Sequence, residues 1–140
     1  MIDSKTAPYA ALLLRVSLGI MFLAHSLYLK VVVFTLAGTV GFYESLGLPG
    51  IFAYLTILAE VLGGVAFLLG IQVRLAALGV LPVLLGALWV HAGNGWVFSA
   101  QGGGWEYPAF LIVGVAVQAL LGAGAYAVKS PAILGRKAIA

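Results

Sequence analysis

Residues 51–70 read IFAYLTILAEVLGGVAFLLG, and a single charged residue, Glu60, stands midway along twenty otherwise uncharged residues. As an α-helix, such a run is about 30 Å long, close to the thickness of a bilayer's hydrocarbon core. The rest of the chain has the same character. Of its 140 residues, 64% are hydrophobic and 8% charged, whereas about a quarter of the residues of a soluble domain are charged. Mean hydropathy is +1.17. The chain reads as an all-α integral membrane protein.

Three further apolar runs, 9–28, 75–92 and 108–128, approach the same length. We expect four transmembrane helices in an up-down-up-down bundle that forms a single domain over 1–140, with a short basic tail at 129–140. The first run is too long for a signal peptide, carries Arg15 and lacks a small-x-small cleavage site, so it is expected to remain in the mature protein. Between runs one and two, Leu36, Val40 and Tyr43 recur at helical spacing before Gly47 and Pro49, which predicts a short amphipathic helix at the interface, with Glu44 at its polar edge. The link GIQVR (70–74) is a tight turn, and GNGWVFSAQGGGW (93–105) is a glycine-rich loop flanked by Trp89, Trp96 and Trp105 as interface anchors.

Several chemistries drop out. The chain contains no cysteine, which removes thiol-disulfide exchange, iron-sulfur ligation and cysteine nucleophiles. The glycine-rich loop has neither a preceding strand nor a following GK[ST], so it is no phosphate loop. The seven basic residues are scattered, with no patch for nucleic acid. Instead they report topology: Lys5, Arg74, Lys129, Arg136 and Lys137 fall on one side and only Lys30 on the other, which predicts a multi-pass protein with both termini cytoplasmic.

That topology gathers polar residues in two places. His25, His91 and Glu106 fall at the outer end of the bundle, where Lys30, Glu44 and Asn94 could join them. Deeper, Arg15 lies about 9 Å from one face and Glu60 about 14 Å from the other. An unpaired charge at such depth costs about 2.5–3.5 kcal/mol, so an Arg15–Glu60 pair is expected, with Gln118 completing the network. The pair either fixes helix register, with Gly19, Gly63 and Gly64 allowing close approach, or takes part in function. The histidines likewise admit three readings: hydrogen bonding to water or backbone, hydrogen bonding to a ligand, or ligation of a metal or haem.

The order of motifs RVSLGIMFLAHSLYLK (15–30), FYESLGLPG (42–50), AEVLGGVAFLLGIQVRLAAL (59–78), HAGNGWVF (91–98), GGGWEYPAFL (102–111) and GAGAY (122–126) resembles the DoxX family of small bacterial membrane proteins along nearly the whole chain. One departure concerns His25. The family often has His-Gly with a lysine three or four residues on, whereas here Ser26 follows and Lys30 comes five later, about 140° around an α-helix, which sets the two on different faces. The resemblance implies a four-helix protein of the bacterial inner membrane, similar to the small membrane subunit of thiosulfate:quinone oxidoreductase. The leading expectation is a quinone-linked oxidoreductase subunit in which His25, His91 or Glu106 contacts the quinone and moves protons. The alternatives are an anchoring or assembly subunit for a soluble partner, with homo-oligomers open, and transport of a small solute or proton along Arg15, Glu60 and Gln118.

Overall fold

The computed structural model describes residues 3–128; the basic tail 129–140 lies outside the described residues. All regular structure among them is helical. Helix α1 (Ala7–Leu23) has Pro8 in its first turn, where a missing N–H costs nothing. It continues without a break into a π-helical segment, Ala24–Val33. Then come α2 (Thr35–Ser45), α3 (Ile51–Leu69), α4 (Val73–His91) with a 3₁₀ turn at Ala92–Asn94, and α5 (Glu106–Leu121). Three of these stretches, Ala7–Val33, Ile51–Leu69 and Val73–Asn94, are long and apolar enough to cross a membrane, while α5 is shorter. The expected helix between runs one and two is present as α2. Its inward side, however, is Thr39, Val40 and Tyr43, with Leu36 turned outward.

The fourth apolar run is helical only to Leu121, not to residue 128. Gly122 leaves the helix with φ +77°, and the chain continues as a non-helical strap over 122–128. Ala125 N–H donates to the Pro8 carbonyl and Val128 N–H to that of Leu69, both at 2.9 Å. These bonds give polar groups of the irregular backbone protein partners.

Helices α1, α3, α4 and α5 pack in a cycle: α1 touches α3 and α5, and α4 touches the same two. Their core holds Leu18, Phe22, Phe67, Val80, Leu84 and Val115, with the Phe22 and Phe67 rings stacked at 5.9 Å between centroids. Large residues such as Leu13, Leu62, Leu78 and Phe110 face outward, as suits a lipid-bathed surface. Lipid is as apolar as leucine, so helix association in a bilayer relies on close packing rather than on the hydrophobic effect. Glycine supplies that closeness here. A Cβ on Gly19 would stand 2.8 Å from Leu68 Cγ and 2.9 Å from the Gly64 carbonyl oxygen, and one on Gly64 would meet Leu23 at 2.9 Å.

Replacing Gly19 by Val is therefore expected to push α1 off α3 and cost about 1–3 kcal/mol. Gly79→Val, at a site with nothing within 4 Å of the new Cβ, should stay within about 0.5 kcal/mol of wild type. Unfolding free energies from SDS titration in mixed micelles check both; equal losses would contradict the close α1–α3 contact.

Candidate functional site

Glu60 is buried on α3, and its partner is Lys30, not Arg15. Lys30 Nζ donates to both carboxylate oxygens at 2.8 Å, forming an ion pair in which Glu60 is 6% and Lys30 19% exposed. The π-helical segment makes this possible. A π-helix closes each turn on the fifth residue rather than the fourth. His25 and Lys30, far apart around an α-helix, are thereby brought to nearly one face. Ser26, where the family pattern has glycine, is fully buried at the start of the wide turn. Its hydroxyl donates to the carbonyls of Phe22 at 2.8 Å and Leu23 at 3.3 Å, the back-bonding that bends helices.

Helix α2 covers the pair. The Thr39 hydroxyl donates to the Lys30 carbonyl, and the Tyr43 hydroxyl donates to Thr56 Oγ1, both at 2.8 Å. Burial holds the Tyr43 phenol above the ordinary tyrosine range, the Thr56 bond opposes the shift, and the Glu60 charge adds to it. Tyr43 thus remains a neutral donor beside the ion pair.

His25 adds a base to this cluster. Its Nδ1 lies 2.8 Å from the Met21 carbonyl oxygen, which can only accept, so Nδ1 carries the proton and Nε2 of the neutral ring keeps a lone pair. The imidazole stacks on Tyr107, with centroids 5.8 Å apart and planes inclined by 22°. The Tyr107 hydroxyl is buried and has no hydrogen-bond partner.

Arg15 solves its burial differently. It is 1% exposed and donates to four carbonyl oxygens: Phe67 at 3.0 Å and Leu68 at 2.6 Å, at the end of α3, and Ala123 at 2.8 Å and Ala125 at 2.9 Å, in the strap. The last carbonyls of a helix have no partner within it and carry partial negative charge, so they suit a guanidinium. Gln118 sits one turn before the strap, donates to the Gly122 carbonyl at 2.7 Å and leaves its Oε1 buried without a partner. The expected Arg15–Glu60–Gln118 network is therefore two separate arrangements.

The expected outer cluster also divides. His91 Nδ1 lies 3.0 Å from the carbonyl oxygens of both Gly102 and Gly103, and Asn94 Nδ2 donates to the same two. One carboxylate oxygen of Glu106 accepts the Phe98 N–H at 2.8 Å. These three residues shape the 95–105 loop, where Trp96 and Trp105 meet edge to face at 4.4 Å between centroids. Among the described residues, no hydrogen bond joins His25 to His91 or Glu106, and no three or more metal-binding side chains converge. A groove of about 500 Å³ runs over the start of α5, with Trp96, Phe98, Glu106, Tyr107, Phe110 and Val113 in its walls.

The fold and site define a multi-pass membrane protein with a lysine–glutamate pair among apolar helices. Residues 10–93 match the DoxX family model, and the chain belongs to that family. It is also 34% identical over 85 residues to a Bacillus subtilis (strain 168) protein described as "Putative oxidoreductase CatD". The chain spans 61% of that relative's length, and 61% of its own length is aligned. No solved structure matches it.

Sequence reasoning missed Thr39, Thr56 and Tyr107 as parts of the site. Tyr107 had one signal, its position beside Glu106 at the start of a span. The others had none, because they act through the fold-back of α2.

The pairing sets a double-mutant test. Lys30→Met is expected to cost about 3–5 kcal/mol by stranding Glu60, and adding Glu60→Leu should recover much of that loss. Losses from Arg15→Leu and Glu60→Leu should instead add. Unfolding in SDS measures the three single variants and the two double variants, and strong coupling of Arg15 to Glu60 would contradict the pairing.

Proposed function

We propose that this chain is an integral membrane subunit of, or accessory to, a quinone-linked oxidoreductase, and that its His25–Lys30–Glu60 cluster moves protons for that system. The observation that carries this reading is the buried Lys30–Glu60 pair, with His25 on the same π-helical segment as Lys30. Ionisable groups inside an apolar bundle are costly, and where they occur they commonly mark proton or ion pathways. The description of the Bacillus relative supports the oxidoreductase half. With no cysteine in the chain, electrons are assigned to partners, and protons to this cluster. His25 Nε2 accepts a proton, the Glu60 carboxylate stabilises the resulting imidazolium, and Lys30 holds the carboxylate in place when His25 is neutral.

The proposed topology is four crossings of the inner membrane, up-down-up-down, with both termini cytoplasmic. Residue 15 meets 67 and 68, residue 30 meets 60, and residue 74 meets 119, so successive long helices meet head to tail. Because Lys30 lies within a helix, the two proposed outer connections, 34–50 and 92–105, contain no lysine or arginine at all. The charge asymmetry is thus sharper than the sequence alone suggests. In the cysteine-free chain, Ser99→Cys should label from the periplasmic side of intact cells and Ser4→Cys only after permeabilisation; the reverse pattern would invert the topology.

Donor-driven quinone reduction in native membranes tests the function. Glu60→Gln, and Lys30→Gln with Glu60→Gln, should each lower the rate about tenfold or more, while the double variant, which strands no charge, keeps wild-type abundance. Wild-type rates in the double variant would return the cluster to packing and leave the anchoring role as the better reading.

A further inference from the structure

We propose that Trp96, Val97 and Phe98, in the loop before α5, are immersed in lipid at the bilayer boundary, so that this part of the loop is a membrane contact and not a surface in water. The inference rests on the proposed crossing of the membrane by α5 and holds for either orientation of the chain.

Residues 95–105, GWVFSAQGGGW, include no charged side chain. Trp96 is 54%, Val97 49% and Phe98 68% exposed. Three consecutive large apolar side chains turned outward from a loop are costly in water, at about 25 cal/mol for each Å² of apolar surface. In lipid that cost disappears. The loop's polar groups point the other way. A Cβ on Gly104 would collide with the carbonyl oxygens of Trp96 and Val97, so both carbonyls are directed into the loop. There the Trp96 carbonyl accepts the Glu106 N–H at 3.1 Å, and that of Val97 accepts the Ala100 N–H at 2.9 Å. The Phe98 N–H donates to the Glu106 carboxylate, and the Gly102 and Gly103 carbonyls accept from Asn94. A loop in water can leave such groups to solvent, whereas one at the edge of the hydrocarbon core needs protein partners for them.

Helix length sets these residues at the required depth. Helix α5 has 16 residues, so it is about 24 Å long against a hydrocarbon core of about 30 Å. The 122–128 strap continues the chain at its C-terminal end. At its N-terminal end, the bonds from Glu106 to Trp96 and Phe98 hold the 96–98 segment level with the first turn. A crossing helix shorter than the core draws its flanking residues into the boundary, where tryptophan is enriched. Lipid, and not a protein, is the occupant this surface fits. Its one carboxylate, Glu106, is already bonded, so no charge is left to select a partner. The surface also runs on, through the groove, into the outward face of α5 at Phe110 and Val113, which on the proposed crossing meets acyl chains. Ser99 and Gln101, polar and exposed, form the part of the loop that reaches water.

The test uses the purified full chain in lipid bilayers, where the absence of native cysteine allows single nitroxide labels. Val97→Cys, Phe98→Cys, Gln101→Cys and Val113→Cys, the last about 10 Å along α5, are each labelled. Collisions of the nitroxide with oxygen, which concentrates in lipid, are compared with collisions with a water-soluble nickel chelate. The oxygen-to-nickel ratio at 97 and 98 should be several-fold above that at 101 and approach that at 113. A second measurement needs no label. In the Trp89→Phe, Trp105→Phe variant, which keeps Trp96 as the sole tryptophan, phospholipid brominated on the upper acyl chain should quench most of the emission. Equal ratios at 97, 98 and 101, or emission untouched by bromine, would overturn the inference. Labels at 97 and 98 that neither oxygen nor nickel reaches would overturn it as well, by showing that protein covers this face. The reading on which it rests has its own signal: a water-like ratio at 113 would remove α5 from the membrane, whereas a lipid-like 113 beside water-like 97 and 98 would leave the crossing standing and the loop in water.

Discussion

The ion pair between Lys30 and Glu60 is the constraint around which the junction of α1, α2 and α3 is arranged. It joins the extension of α1 to the middle of α3, and α2 folds back over it through Thr39 and Tyr43. The pair is not a simple source of stability. Burying two charges costs several kcal/mol per ion, and their attraction offsets this only with good geometry and further hydrogen bonds. What the pair does supply is register: a slip of the α1 extension along α3 would strand both charges. Bringing lysine to the face of His25 in turn requires the wide turns of the π-helical segment, a form found mostly as single turns and often at functional sites.

Arg15 and Lys30 show two ways of keeping a cation among apolar helices. A guanidinium presents five N–H donors in a rigid fork and stays protonated. Arg15 makes four hydrogen bonds to helix-end and strap carbonyls, with no carboxylate among them, and so fastens the strap to α1 and the C-terminal end of α3. An ammonium is a compact charge on a flexible stem, and its protonation responds to burial. Lys30 faces the Glu60 carboxylate. The first arrangement rests on backbone carbonyls and the second on a carboxylate.

Much of the fold was legible in the sequence because hydrophobic length is a direct physical signal: the helices at 7–33, 51–69 and 73–91 arise from it, and a helix after FTLAG arises from spacing and the Gly47–Pro49 stop. Family membership was legible too, from the order of the motifs. The misreadings have particular causes. The fourth run is equally apolar to residue 128, but Gly122 ends the helix and Arg15 caps the carbonyls of the 122–128 strap, a long-range effect invisible to a local pattern. Arg15 and Glu60 were paired by depth and opposite charge, which ignores that backbone carbonyls also neutralise a guanidinium. His25 and Lys30 were set on different faces by α-helical geometry, and the π-helix changes that angle. His91 and Glu106 do lie beside the 95–105 loop, but their hydrogen bonds go to its backbone.

The central claim is that Glu60 is matched to Lys30 across the π-helical turn, and the most direct measurement is solid-state NMR on the protein in lipid bilayers. With side-chain ¹⁵Nζ-lysine and ¹³Cδ-glutamate labels, dipolar recoupling should show one directly contacting lysine–glutamate pair, and that signal should vanish in Glu60→Gln while persisting in Glu44→Gln and Glu106→Gln. Absence of the coupling in wild type, or its survival in Glu60→Gln, would contradict the account.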